Sequence, residues 1–230
     1  MAAGSSTRGE AVFGALRSDI LAGRLTPGAR LPFADLCARY GASTGVLREG
    51  LSRLVEQGLV RLEPQQGYRV TPLSEQDLVD LTEARVQIET LVLSAAIAEG
   101  DLAWESRLTA LHHTLSKTPQ VDQADPARFS EAWTRAHADY HAAVLSGCGN
   151  ARLRGLADGL RASAELYRQW SRPLGQDHHR DIAGEHRALL DAVLARDTDT
   201  ALAVLTAHIQ HTSAVLLDHT TTEDDKRVAG

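Results

Sequence analysis

Cysteine and long apolar runs are what this 230-residue sequence most clearly lacks. Cys37 and Cys148 are its only cysteines, and they form no CxxC motif, which argues against a disulfide framework or a thiolate metal site. No apolar run approaches the roughly 18 residues of a membrane span. The opening MAAGSSTRGEAVFG holds no apolar stretch suited to export. We therefore expect a cytoplasmic protein with no membrane partner.

Lysine is also scarce, with only two in the chain, so arginine carries almost all of the positive charge. Residues 1–72 contain nine arginines and six acidic residues, which gives them a net charge of +3. The whole chain has a net charge of −6, so residues 73–230 have a net charge of −9. A basic half joined to an acidic half predicts two domains with different partners. The predicted segments are a disordered tail at 1–8, a domain at 9–72, a second domain at 73–218 and a disordered tail at 219–230.

The basic half has the pattern of three short helices followed by a hairpin. GEAVFGALRSDILAG and FADLCARYG place apolar residues at helical spacing and end at glycines, and Ser43 is positioned to cap a third helix, TGVLREGLSRLVEQG. Two β-rich runs, 59–62 and 68–71, flank the turn-forming EPQQG. This order predicts a winged helix-turn-helix, whose third helix enters the DNA major groove while the wing touches the backbone or the minor groove.

The side chains left outside after this domain packs are candidates for contacts to double-stranded DNA. Ser43 and Thr44 lie at a helix N-terminus, where hydroxyls and free backbone N–H groups can hold a phosphate. Arg48 can offer a bidentate contact to guanine or clamp a phosphate, and Gly67 permits the tight wing turn. The full predicted set is Arg30, Ser43, Thr44, Arg48, Ser52, Arg53, Gln65, Gln66, Gly67 and Arg69. The alternative is that the arginines are ordinary solvated charges.

From Ser74 onward the apolar residues recur with the 3.6-residue period of helices and show no strand pattern. This predicts an antiparallel all-α bundle. The predicted helices span 75–99, 102–116, 127–146, 150–170, 178–196 and 198–218. The predicted fold class is therefore mainly α, with a winged helix-turn-helix followed by a helical bundle.

Histidines recur on the inward faces of this bundle. The motif HADYH places His137 and His141 one turn apart on one helix, and His186 and His208 lie among apolar residues of the last two helices. Neutral imidazoles suit Zn, Ni, Cu or Fe, so four converging histidines predict a site for one divalent ion. A single histidine on an apolar face is more often a hydrogen-bonded core residue, and that alternative stays open.

Arg85 and Glu89 share the inward face of the first bundle helix. One interpretation is an i, i+4 ion pair inside the bundle or at a subunit contact. The other is that Arg85 binds the carboxylate of a small effector whose other oxygens complete a metal shell. Arg161 and Tyr167 are weaker candidates for the same pocket.

The basic half resembles the DNA-binding domain of the GntR family of bacterial regulators. Members of this family have a PG-x-x-LP turn, a short helix, the motif VREAL-x-x-L-x-x-x-GLV and a glycine-containing wing, in that order. This chain has the same order in LTPGARLP, then LCARYGASTGVLREGLSRLVEQGLV, then its own glycine-containing wing. Where the family often has Arg after the helix-capping Ser and Pro next, this chain has Thr44 and Gly45, which raises the importance of Arg48.

The acidic half is similar to the FCD effector domain, a helical bundle that in many members holds a divalent metal. The stretches EARVQIETLVLSAAIAE, HADYHAAVLSGCGNARL and GEHRALLDAVLARDTDTALAVLTAHI carry this resemblance. It implies metal ligands at His137, His141, His186 and His208. The first is a departure, since His replaces the family's acid, and the lost negative charge favours Zn or Ni over Mn.

Together these features predict a transcription regulator, expected to be a repressor and not an enzyme. It would bind an imperfect palindromic operator as a homodimer and sense a small carboxylate effector through one divalent metal per subunit. Two rivals remain. One is a metal-dependent hydrolase with Glu185 or Asp139 as general base, although the pattern places no acid within the histidine cluster. The other is a metal that only staples the bundle.

Overall fold

The structure is a computed structural model and describes residues 8–21, 23–72, 74–124, 128–175 and 180–228. The chain divides into two compact units, Met1–Ser74 with Ala162–Leu166, and Glu75–Arg161 with Tyr167–Gly230. Most of the predicted N-terminal tail, residues 1–7, lies outside the described residues. The predicted fold class is confirmed: the described chain is mainly helical, with a small two-stranded antiparallel sheet.

The first unit is a winged helix-turn-helix. Its elements within the described residues are α1 (Arg8–Leu21), α2 (Phe33–Tyr40), α3 (Thr44–Glu56), β1 (Val60–Glu63) and β2 (Gly67–Val70). Leu16, Leu47 and Leu51 are fully buried where α1 packs against α3. Helix α2 ends because Gly41 adopts a left-handed conformation, φ 58°. The strands pair with Val60 opposite Val70, each strand lying within one residue of its predicted position.

Two details of this unit differ from the sequence pattern. Ser43 occupies the N-cap position of α3, but its side chain makes no capping hydrogen bond, so its hydroxyl does not cap the helix as predicted. Asp19 of α1 is buried and anchors neighbouring chain segments: its carboxylate accepts from Tyr40 Oη and Arg24 Nε, each at 2.6 Å, and pairs with Arg39. No local periodicity marks this network, because its members come from separate segments.

The second unit is a bundle of helices. Within the described residues these are α4 (Glu75–Glu99), α5 (Leu102–Lys117), α6 (Glu131–Leu145), α7 (Ala151–Gly175), α8 (Ile182–Leu194) and α9 (Thr198–Val228). All six correspond to predicted helices. Helix α9 continues past the predicted end at residue 218 into the segment predicted as a polar tail. None of the helices in the described ranges is both long enough and apolar enough to cross a membrane.

The bundle core is built around two large aromatic residues. Trp104 and Tyr140 are almost wholly buried among Leu93, Leu108 and Leu189, and the Trp104 indole donates to the Ala143 carbonyl at 2.8 Å. Five of the bundle helices begin with a side-chain cap that accepts a backbone N–H: Asp101 before α5, Ser130 before α6, Asn150 before α7, Asp181 before α8 and Asp197 before α9. Helix α6 packs against α5 and α4, and α8 packs against α9 and α5. This packing brings α6, α8 and α9 around one interior position.

Candidate metal centre and nucleic-acid interface

Four histidines from three helices meet inside the second unit. His137 and His141 are one turn apart on α6, His186 is on α8 and His208 is on α9. Each offers one nitrogen, and among the described residues these four nitrogens all lie within 4.8 Å of one another. The Nε2 atoms of His141 and His186 are 3.2 Å apart. The convergence predicted from helical spacing is therefore confirmed.

Two aromatic side chains, Trp133 and Tyr140, pack against this cluster. The Trp133 ring stacks on His137 with centroids 4.8 Å apart, which extends the i, i+4 stripe of α6 toward its N-terminus. Tyr140 lies edge-on to both His141 and His186, and its hydroxyl donates to the His186 carbonyl at 3.0 Å. These contacts pack aromatic rings against His137, His141 and His186.

Burial sets the protonation state of the four rings. It lowers the pKa of His137, His141 and His186 well below the ordinary value of 6.5, and the neighbouring histidines and arginines lower it further. Burial also lowers the pKa of His208, although Glu185 acts in the opposite direction. The rings are therefore neutral near pH 7, the state in which imidazole can ligate a metal.

This donor set fits a borderline-soft divalent ion. Two imidazole nitrogens on a tetrahedral Zn with bonds of about 2.0–2.1 Å lie about 3.3 Å apart, close to the observed His141 to His186 separation of 3.2 Å. Four neutral nitrogens without a carboxylate suit Zn or Ni better than Mn or Mg, which prefer oxygen ligands. The four histidines could therefore hold one such ion.

An acid that the sequence pattern did not place lies directly behind the cluster, outside the group of four nitrogens. Glu185 Oε2 is 2.7 Å from His208 Nδ1, because the start of α8 lies against α9. Arg180 holds the same carboxylate in a bidentate ion pair, Nε to Oε1 at 2.8 Å and Nη2 to Oε2 at 2.7 Å. The only sequence signal for this contact is that Glu185 immediately precedes a ligand candidate, whereas Asp139, the other predicted base, is exposed.

Arg85 makes the i, i+4 ion pair that was one of its two predicted roles. Its Nε lies 2.7 Å from Glu89 Oε1, and the Glu89 side chain is 1% exposed. Arg161 lies near the same carboxylate, whose charge opposes the lowering of the Arg161 pKa by burial. The charges of Arg85 and Arg161 both act on His141, so the structure brings the two arginines toward the histidine cluster.

The third effector candidate has a different contact. The Tyr167 hydroxyl donates to Asp77 Oδ2 at 2.6 Å, which links α7 to the first turn of α4. Sequence reasoning also missed that His112 is buried; it lies edge-on to Tyr140 with ring centroids 5.5 Å apart. An inward position on α5 could have been found from the helical period, but the contact to Tyr140 could not.

The predicted DNA-contacting residues of α3 are on its exposed face. Ser43, Thr44, Arg48 and Ser52 are all exposed, and the Arg48 guanidinium lies 5.6 Å from the centre of the Phe33 ring of α2. Arg53 has a different environment. It pairs with Glu10 of α1 at 3.0 Å, and its guanidinium lies 3.8 Å from the centre of the Phe13 ring.

The wing residues form a second group. Arg30 makes a β-bridge with Arg69, so it extends the hairpin, and it donates to Gln66 Oε1 at 2.8 Å. Arg69 donates to the Gly28 carbonyl at 2.6 Å and pairs with Glu63. Gln65 and Gly67 are exposed at the turn with φ of 62° and 84°, as the tight turn requires. Arg30, Gln65, Gln66 and Gly67 remain accessible there, whereas Arg69 is half-buried.

The first unit, with its exposed α3 and its wing, has the winged helix-turn-helix form of DNA-binding proteins. Residues 8–70 match the model of the bacterial regulatory proteins of the gntR family, and residues 80–211 match the FCD domain. The chain belongs to the GntR family of DNA-binding transcription regulators, in its FCD-containing group.

Individual relatives agree with this assignment. The chain is 36% identical over 207 residues to the uncharacterized HTH-type transcriptional regulator BphR of Paraburkholderia xenovorans strain LB400, covering 90% of this chain and 84% of that protein. It is 36% identical over 197 residues to the HTH-type transcriptional repressor GlaR of Escherichia coli K12, covering 84% and 89%. The galactonate operon transcriptional repressor of Escherichia coli K12 is 28% identical over 207 residues, covering 81% and 86%.

A solved structure supports the fold. A transcriptional regulator described as GntR from Rhodococcus sp. RHA1 superposes with a TM-score of 0.70 at 24% identity, covering 93% of this chain and 99% of that one. The family and these relatives are transcription regulators rather than enzymes, and the repressors among them support a DNA-binding repressor. The hydrolase alternative is therefore set aside.

Proposed function

We propose that this transcriptional repressor senses a small organic acid through one divalent ion per subunit, Zn or Ni, held by His137, His141, His186 and His208. The observation that carries the proposal is the convergence of four neutral imidazole nitrogens within 4.8 Å, which suits a metal and which a core without one would leave poorly satisfied. Bound metal would supply Lewis-acid attraction for an oxygen of the effector.

Charge around the cluster supports an anionic effector. Arg85 and Arg161 act on the pKa of His141, Arg168 acts on that of His137, and Arg180 acts on those of His186 and His208. A guanidinium carries five N–H donors, so Arg85 can hold Glu89 through Nε and still offer its terminal nitrogens to a carboxylate. One relative represses a galactonate operon, and galactonate is an acid of this kind.

The proposed DNA contacts are those of the exposed α3 face and the wing. Arg48 would contact a base edge or a phosphate, Ser43 and Thr44 would hold a phosphate at the start of α3, and Gln65 and Gln66 would approach from the wing. One winged helix reads only a few base pairs, so we propose a homodimer on an imperfect palindrome.

Effector binding and operator binding are thermodynamically linked if the effector has different affinities for the DNA-bound and the released arrangements of the protein. An effector can change operator affinity only by as much as its affinities differ between the DNA-bound and released arrangements of the protein. We propose that the effector favours the released arrangement, so that it relieves repression.

The test is operator release measured by fluorescence anisotropy, on a DNA site selected with the purified protein. Zn-loaded and chelator-treated protein are each titrated with galactonate and with a panel of short mono- and dicarboxylates. We expect at least one acid to release the Zn-loaded protein and to have no effect after chelation. Two results would favour a purely structural metal: an acid that releases both forms equally, or Zn that raises the melting temperature while no acid causes release. Four imidazoles already complete a tetrahedral shell in that case.

A further inference from the structure

Glu185 and Arg180 surround one nitrogen of a proposed metal ligand. His208 Nδ1 lies 2.7 Å from Glu185 Oε2 and 3.3 Å from Arg180 Nη2. A carboxylate can only accept a hydrogen bond and a guanidinium can only donate one. His208 Nδ1 must therefore either carry a proton and donate to Glu185, or lack one and accept from Arg180.

The other contacts of Arg180 decide between the two states. Nη2 has two hydrogens, and it already has two better acceptors: Glu185 Oε2 at 2.7 Å and the His208 carbonyl at 3.1 Å. An unprotonated Nδ1 would also place its lone pair 2.7 Å from a carboxylate oxygen with no hydrogen between them. The Nδ1–H form removes this repulsion and makes a charge-assisted hydrogen bond.

The carboxylate is itself held firmly. Arg180 has only 9% of its side chain exposed, pairs with both oxygens of Glu185, and donates from Nη1 to Thr212 Oγ1 of α9 at 3.0 Å. Arg180 thus joins the segment before α8 to α9 at His208 and at Thr212, one turn further along α9. This arrangement restrains the rotation of Glu185 and therefore the ring that it contacts.

We infer that Glu185, anchored by Arg180, is a positioning residue that fixes His208 in its Nδ1–H form and turns the bare Nε2 toward His137, His141 and His186. The inference rests on the proposed metal site. A carboxylate behind a ligating histidine fixes its tautomer and orientation and raises its basicity as a ligand.

The first measurement reads the tautomer directly. Long-range ¹H–¹⁵N correlation spectra of the metal-free, full-length protein labelled with ¹⁵N-histidine report which ring nitrogen carries the proton, and the His208 signals are identified by their loss in His208→Ala. We expect Nδ1–H in wild type and in the matched control Glu83→Gln, whose carboxylate is exposed on α4. Glu185→Ala should shift His208 toward the Nε2–H form.

The second measurement is Zn affinity by competition with a chromophoric chelator. Removal of an outer hydrogen-bond partner of a ligand typically weakens metal binding about 10–100-fold, and we expect Glu185→Ala to fall in this range while Glu83→Gln binds as wild type. Glu185→Gln keeps an accepting oxygen but loses the charge, so it should retain the Nδ1–H form and weaken Zn less than Glu185→Ala.

The outcomes separate this inference from the metal site. Wild type that binds no Zn would contradict the proposed site, while the tautomer spectra would still test the role of Glu185. Wild type that binds Zn, with Glu185→Ala unchanged in both tautomer and affinity, would overturn the inference alone. A wild-type His208 protonated on Nε2 would overturn it even if Glu185→Ala fails to fold.

Discussion

Replacing Arg85 by Met removes the ion-pair partner of the most buried carboxylate in the described part of the chain. Glu89 is 1% exposed and lies 2.7 Å from the Arg85 guanidinium, which is itself only 16% exposed. Loss of one partner from a buried pair costs about 3–5 kcal/mol, because the remaining charge is left uncompensated. Arg161 also carries charge near Glu89, so we expect the lower end, about 3 kcal/mol.

For a chain of this size that loss corresponds to about 6–12 °C in melting temperature, at roughly 2–4 °C per kcal/mol. The assay is thermal unfolding followed by circular dichroism, with Arg107→Met as the control, because Arg107 is exposed on α5. Arg85→Met/Glu89→Leu replaces both charges by apolar groups and should recover most of the stability. An Arg85→Met protein that melts as wild type would refute the reasoning.

The double variant also separates the two roles of Arg85. If Arg85 binds the carboxylate of the effector as well as Glu89, Arg85→Met/Glu89→Leu should fold and bind operator DNA but fail to be released by the acid that releases wild type. Release of the double variant at the wild-type effector concentration would leave Arg85 as a structural ion pair only.

Two further predictions concern the winged helix. Arg48→Ala should weaken specific operator binding by about 1–3 kcal/mol and make the affinity less dependent on salt. Both effects are measured by fluorescence anisotropy at several salt concentrations. A folded variant that binds the operator as tightly as wild type would show that Arg48 does not contact DNA. Burial raises the pKa of Asp19, but hydrogen bonds from Tyr40 and Arg24 and the charges of Arg24 and Arg39 outweigh it and leave the pKa below 3.8. Because the folded-state pKa is lowered, the stabilisation by the Asp19 carboxylate is fully present above pH 3.8 and is lost as the pH falls through the lowered value. Asp19→Asn should therefore destabilise the winged helix-turn-helix unit at pH 7 and remove this loss of stability at acid pH, both measured by denaturant titration. Equal stability of the wild-type and Asp19→Asn proteins at pH 7 would contradict the prediction.

Much of the fold could be predicted from the periodic spacing of apolar residues in the sequence. The apolar spacing of EQDLVDLTEARVQIETLVLSAAIAE predicted a helix over 75–99, and α4 has those bounds. The same reasoning placed His137, His141, His186 and His208 on inward faces, because a helical face is a property of local spacing. Helix α9 is longer than predicted because its polar end lacks an apolar stripe, which is the feature that periodicity detects.

Contacts between separate segments could not be predicted in this way. Glu185 meets His208 only because α8 packs against α9, and Asp19 meets Tyr40 only because the chain turns between α1 and α2. Arg53 was predicted to contact DNA, but its pairing with Glu10 depends on how α1 and α3 pack. Side-chain partners of this kind follow from tertiary packing rather than from spacing along one element.

The most direct test of the metal site is a calorimetric titration of metal-free protein with Zn and, separately, with Ni. We predict uptake of one ion per chain, unchanged in His113→Ala, whose ring is exposed on α5, and lost in His141→Ala. At a hundredfold excess over the dissociation constant, binding to the folded state alone would add about 2.7 kcal/mol to its stability. Wild-type protein that takes up neither Zn nor Ni, or uptake that survives His141→Ala, would contradict the four-histidine metal site.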